Sequence, residues 1–163
     1  MKVRKILFYI FLTLALAINV LIIVESCIGG EGSASQSISL SESIAHMIES
    51  LFPNAHIDHS ALHSAIRKLV GHFLLFGLSG IFTTLTVMMN DFLMNKFKWK
   101  NIIFIAIFGL IIAAISELIQ YFTPGRYGAL IDILIDYSGY VIFGGLTYLI
   151  TYLILKKTNK NPD

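Results

Sequence analysis

Residues 102–122 read IIFIAIFGLIIAAISELIQYF, and Pro124-Gly125-Arg126 follows almost at once. The run is apolar for about 20 residues without two-residue alternation, so it reads as a helix long enough to cross a hydrocarbon core. Ile6–Val24, Leu69–Asn90 and Ile131–Leu155 satisfy the same rule. Only helices and closed barrels satisfy every backbone polar group in lipid. The chain is therefore predicted to be an all-α integral membrane protein, a single domain with four transmembrane helices over 6–24, 69–90, 102–122 and 131–155.

Composition agrees with this reading. The chain is 56% hydrophobic and 13% charged, against about 25% charged in a soluble domain. A net charge of +2, with basic residues strung along membrane edges, does not fit a nucleic-acid binder. Cys27 is the sole cysteine, which excludes an intrachain disulfide and a thiolate zinc site.

Orientation follows from the Lys and Arg residues. Lys2, Arg4, Lys5, Lys96, Lys98, Lys100, Lys156, Lys157 and Lys160 all fall on one side if the chain crosses four times. Basic residues mark the cytoplasmic side, so both termini are expected there. Trp99, Tyr121, Tyr127 and Tyr152 sit near helix ends as interface anchors. Val24-Glu25-Ser26-Cys27 has the outline of a lipoprotein processing site. Glu25 is wrong for that chemistry and the apolar run is long, so the segment reads as a retained span.

The long connection, 25–66, is expected outside the cytoplasm. Gly29 to Ser37 reads as flexible linker. Ser39 and Glu42 have capping-box spacing. Ile44, Met47, Ile48, Leu51 and Phe52 then share one helical face, predicting a short amphipathic helix that Pro53 and Asn54 end. Asp58 or Ser60 would cap the following helix. The loop also holds His46, His56, His59 and His63. His59 and His63 have the spacing to share a metal, but solvated loop histidines are the plainer reading.

Polar residues near the outer ends of the last three spans carry the functional signal, because charge at bilayer depth is costly unless it is paired or faces a cavity. Helical spacing stacks them in two layers. His72, Glu117 and Asp136 form the deeper one; Lys68, Gln120, Arg126 and Asp132 the shallower one. Pro124 and Gly125 suit the centre of a tight turn that would hold Arg126 over the mouth of the bundle. An ion pair of Arg126 with Asp132 or Glu117 is the structural alternative.

Ser116-Glu117-Leu118-Ile119-Gln120, the Pro124-Gly125-Arg126 turn, and Asp132, Asp136 and Gly139 entering the last helix resemble the VanZ-like family. The family's pattern there is E-x-x-Q, P-G-R and D-x-x-x-(N/D)-x-x-G. Arg67-Lys68 followed by His72-Phe73 resembles its basic pair and His-Phe, with three residues between Lys68 and His72 where the family's pattern has two. The resemblance covers roughly Ile66 to the end. It implies a multi-pass membrane protein of the bacterial cytoplasmic membrane, linked to resistance against teicoplanin and related lipoglycopeptides.

Three readings of the site follow. In the first, Lys68, Arg126 and Arg67 contact an anionic lipid headgroup or a lipid-linked cell-envelope intermediate, while Glu117, Gln120, Asp132 and Asp136 orient those cations. In the second, His72, Glu117 and Asp136 act as an acid-base set on a lipid-linked substrate, or hold a divalent metal. No paired Arg/His phosphatase signature and no activated Ser or Cys is visible in the sequence. In the third, Glu117 and Asp136 serve a proton-coupled transporter or flippase, which four short helices could form only as a homo-oligomer. The sequence assigns no metal site and identifies no cofactor.

Overall fold

The computed structural model describes residues 2–52, 57–90 and 98–158. Pro53, Asn54, His56, Lys96 and Lys160 lie outside them. The elements are α1 (Lys2–Cys27), α2 (Gly30–Leu51), α3 (His59–Ile66), a π-helical segment (Arg67–Leu74), α4 (Leu75–Met89), α5 (Lys98–Phe122) and α6 (Leu130–Thr158). Four stretches are long and apolar enough to cross a membrane: Val3–Cys27, His59–Met89, Trp99–Phe122 and Leu130–Ile154. Leu118, Leu130, Leu134 and Ile142 are exposed on their outer faces, as expected where the solvent is lipid.

α4 is the central helix. It packs most extensively against α6, then against α1. α4 and α6 run in the same direction, because one crossing, α5, lies between them. Gly80 lets them close: a Cβ there would lie 2.3 Å from the carbonyl oxygen of Tyr140. Without aqueous hydrophobic driving force, such close approach is how helices gain contact in lipid. Ile22, Phe76, Val87, Ile105, Ala113 and Tyr140 form the buried core between the four spans. At the end holding the termini, Arg4 donates from Nη2 to the carbonyl of Met88 at 2.8 Å. A cation there meets the negative end of α4.

Two expectations are corrected. Gly29 to Ser37 does not form a flexible linker: α2 starts at Gly30 and continues unbroken through Ser39. The capping-box pair therefore sits mid-helix and starts nothing. Four serines of α2 return their hydroxyls to the helix: Ser35 Oγ donates to Gly32 O, Ser41 to Ile38, Ser43 to Ser39 and Ser50 to Met47. These bonds satisfy the hydroxyls locally within the helix. The start of α2 is fastened by Gly30 N–H to the carbonyl of Pro124, 3.1 Å away.

The amphipathic helix is thus present but longer than expected. It packs along α3, with Ser41 and Ala45 buried. Asp58 caps α3 as anticipated, its Oδ1 accepting from Ser60 N and Ala61 N. Those bonds hold the Asp58 carboxyl below its ordinary pKa, the one from Ala61 most. His59 Nε2 lies 3.3 Å from Glu49 on α2.

Gly80→Ala should lower the thermal midpoint in detergent, at a cost of about 1–3 kcal/mol for forcing a methyl into packed backbone. Gly145→Ala, where a Cβ meets nothing within 4 Å, should leave the midpoint unchanged. Circular dichroism melts of the two purified variants check the pair.

Candidate functional site

The polar residues gather at the end of the bundle where α1 and α5 finish and α6 begins. Glu117 is on the last turns of α5 and 3% exposed. Its Oε1 accepts from Gln120 Nε2 at 2.9 Å. Its Oε2 accepts from the backbone N–H of Ala129 at 3.0 Å, directly before α6. Both oxygens thus face N–H donors. One of them satisfies a group at a helix N-terminus, where negative charge is favoured.

Asp136 is fully buried one turn into α6. Its Oδ1 is 2.9 Å from Nδ1 of His72, and Glu117 Oε1 is 3.8 Å from the same nitrogen. One turn nearer the mouth, Lys68 Nζ lies 3.1 Å from Asp132 Oδ1. Two rungs therefore join the parallel helices: Lys68 to Asp132 and His72 to Asp136.

Both left-hand members of these rungs belong to the π-helical segment. In an α-helix, residues five apart point about 140° away from each other. The i→i+5 pattern of a π-helix brings them toward one face. Arg67 and His72 are five apart, and both line the same cavity.

The turn after α5 closes with Arg126 N–H to Thr123 O at 3.1 Å. Gly125 has φ +73°, a left-handed conformation that glycine adopts freely. The turn delivers Arg126 to the end of α1. Nη1 donates to the carbonyls of Glu25 (3.1 Å) and Ile28 (3.5 Å), and Nη2 donates to Gln120 Oε1 (2.6 Å). The expected ion pair of Arg126 with Asp132 or Glu117 is not made: the guanidinium instead neutralises the carbonyl end of α1. Burial, and then the neighbouring Arg67, hold Arg126 below the ordinary guanidinium pKa, against the opposing pull of Glu117, Glu25 and Asp132.

Between α1, the π segment and α5 lies a cavity of about 240 Å³. Arg67, Arg126, His72, Gln120, Ser116 and Glu25 give it a polar wall; Leu21, Ile22, Leu75 and Phe76 supply an apolar one. Arg67 Nε is buried with no hydrogen-bond partner.

The VanZ/LLP1 family profile matches residues 7–153, nearly the whole chain. The chain belongs to the VanZ/LLP1 family. No curated protein and no solved structure matches it significantly.

Five of the polar residues that carried the VanZ resemblance fall in one network. His72, Glu117, Gln120, Arg126 and Asp136 are joined as described. Lys68 and Asp132 are occupied with each other, and neither lines the cavity. The cation reaching the cavity from that helix is Arg67, which the sequence offered only as an accessory. Ser26, Ser116 and Glu25 were not named as site residues from the sequence. Ser26 and Ser116 share a 2.8 Å hydroxyl contact that ties α1 to α5, and no spacing rule links residues 90 positions apart. Among the described residues, the group able to hold a metal is His72, Glu117 and Asp136, whose candidate ligand atoms lie within 4.8 Å of one another. His59 and His63 form no such group.

Replacing Glu117 by Gln should destabilise the protein. A Gln amide group would face either the Ala129 N–H or the Gln120 amide with a donor against a donor, at a cost of about 1–3 kcal/mol. A lowered thermal midpoint in detergent checks this. An unchanged midpoint would mean that Glu117 is protonated or that its two bonds are not formed.

Proposed function

We propose that this VanZ-family protein binds an anionic lipid headgroup, or a lipid-linked intermediate of the cell envelope, at the outer leaflet of the bacterial cytoplasmic membrane. One observation carries the reading. The cavity sets two guanidiniums, Arg67 and Arg126, opposite an apolar wall within a membrane-spanning bundle. Like charges in a poorly solvated site are favoured only when an anion joins them. The planar fork of Arg suits phosphate and carboxylate alike. The apolar wall suits the chain of an amphiphile.

Lys68 leaves the proposed contact set, because Asp132 already neutralises it. Glu117, Gln120 and Asp136 remain as residues that place Arg126 and His72. The basic residues near both termini put those termini in the cytoplasm, which sets the cavity at the opposite face. Resistance to teicoplanin-type antibiotics, the association of the family's namesake, would then arise where the protein occludes or alters what the antibiotic meets at the surface.

Cells expressing the parent should tolerate more teicoplanin than cells expressing Arg67→Gln at matched membrane levels. Mass spectrometry should find an anionic lipid enriched with the purified parent and depleted with the variant. Equal tolerance and equal lipid content for both would contradict the proposal.

A further inference from the structure

We propose that His72, Glu117 and Asp136 hold a divalent first-row transition-metal ion, of the Mn²⁺ or Zn²⁺ kind, between the π segment, α5 and α6. The site needs no anion in the cavity and is independent of the headgroup reading.

Convergence is the first support. The three side chains come from three helical elements and all are buried. One candidate ligand atom from each lies within 4.8 Å of the others. His72 Nδ1 is 2.9 Å from Asp136 Oδ1 and 3.8 Å from Glu117 Oε1. Bonds from a metal to imidazole or carboxylate are about 2.1 Å, so two ligands of one ion stand about 3.0 Å apart at a right angle and at most about 4.2 Å apart. Both measured separations fall in or close to that range. A pair 4.8 Å apart would reach it with a side-chain shift of about 0.6 Å.

An unmet oxygen is the second support, and it is independent of the first. Asp136 is 0% exposed, and its Oδ2 is buried with no hydrogen-bond partner. A buried carboxyl oxygen left so is costly, the more within a membrane bundle. A cation on the same carboxyl group supplies what it lacks. The nearby side-chain cations are engaged elsewhere. Lys68 lies against Asp132, and Arg126 donates to Glu25, Ile28 and Gln120. One ring nitrogen of His72 also faces two carboxyl groups from different helices, and a hydrogen bond satisfies only the nearer. An ion between them serves both.

The surroundings suit a ligand set. Glu117 Oε1 and Oε2 accept from Gln120 and from the Ala129 N–H. Each oxygen keeps a further lone pair, and such bonds orient a ligating carboxylate. The donor types choose the metal class. Imidazole disfavours Mg²⁺ and Ca²⁺, which take oxygen ligands. The set contains no thiolate to favour copper(I). Three protein ligands leave coordination positions for water or an anion, as in catalytic rather than structural zinc sites. His72 lines the cavity, so the ion has a route in from that side.

The test uses the full-length chain in detergent, without a polyhistidine tag and stripped with EDTA. The sequence has five histidines. Replacing His46, His56, His59 and His63 by Gln leaves His72 as the sole imidazole. This protein is titrated with Mn²⁺ and followed by electron paramagnetic resonance. It should bind about one Mn²⁺ per chain, show the electron spin-echo modulation of a directly bound imidazole ¹⁴N, and release the Mn²⁺ to Zn²⁺, which binds such sites more tightly. Asp136→Asn in the same background should weaken Mn²⁺ binding at least about 10-fold. No binding of either metal by the folded chain, bound Mn²⁺ without imidazole modulation, or unchanged affinity in Asp136→Asn would each overturn the site. None of these outcomes bears on lipid binding at Arg67 and Arg126.

Discussion

Glu117 is the residue on which the rest of the site depends. An ionised carboxylate near the end of a membrane helix costs several kcal/mol unless its environment compensates. Here the compensation is also the architecture. One oxygen takes the N–H of Ala129 and so fixes where α6 begins relative to α5. The other takes Gln120, whose own carbonyl oxygen receives Arg126. Arg126 in turn reaches the carbonyl end of α1. A single buried carboxyl group thereby links three helices through one chain of hydrogen bonds. The Thr123–Arg126 turn is the mechanical link, and Gly125 gives it the conformation to face α1.

The fourth helix joins through the π-helical segment. A regular helix over the same residues would turn Arg67 away from the side occupied by His72. The π turn spends regularity of the ladder to bring both toward α1 and α5, and π-helical turns often mark functional positions. The two rungs to α6 hold that irregular backbone in place. In the Lys68–Asp132 rung, charge is neutralised near the surface. In the His72–Asp136 rung, a carboxylate fixes the orientation of an imidazole beside the cavity.

The fold was readable in the sequence because lipid imposes length and continuity on every span, and those are one-dimensional properties. The clustering of His72, Glu117 and Asp136 was readable too, because helix direction and a 1.5 Å rise set depth. Three things were not. The start of the helix at Gly30 is tied to Pro124, which receives Gly30 N–H, and composition alone reads glycine and serine as linker. The partner of Arg126 could not be found by matching charges, because it is a set of backbone carbonyls on α1. The entry of Arg67 into the cavity required knowing that one turn is π-helical. Each failure concerns a tertiary partner or a helix type that local pattern does not encode.

On the proposed reading, the network holds two guanidiniums against a phosphate. The chain has three arginines, Arg4, Arg67 and Arg126. In an Arg4→Lys variant labelled with ¹⁵N-arginine, only the two at the cavity would carry label. Solid-state ¹⁵N–³¹P dipolar recoupling in proteoliposomes of anionic phospholipid measures their contact directly. The account predicts that both guanidinium signals dephase against phosphorus, and that Arg67→Gln leaves one. Dephasing at neither would contradict it.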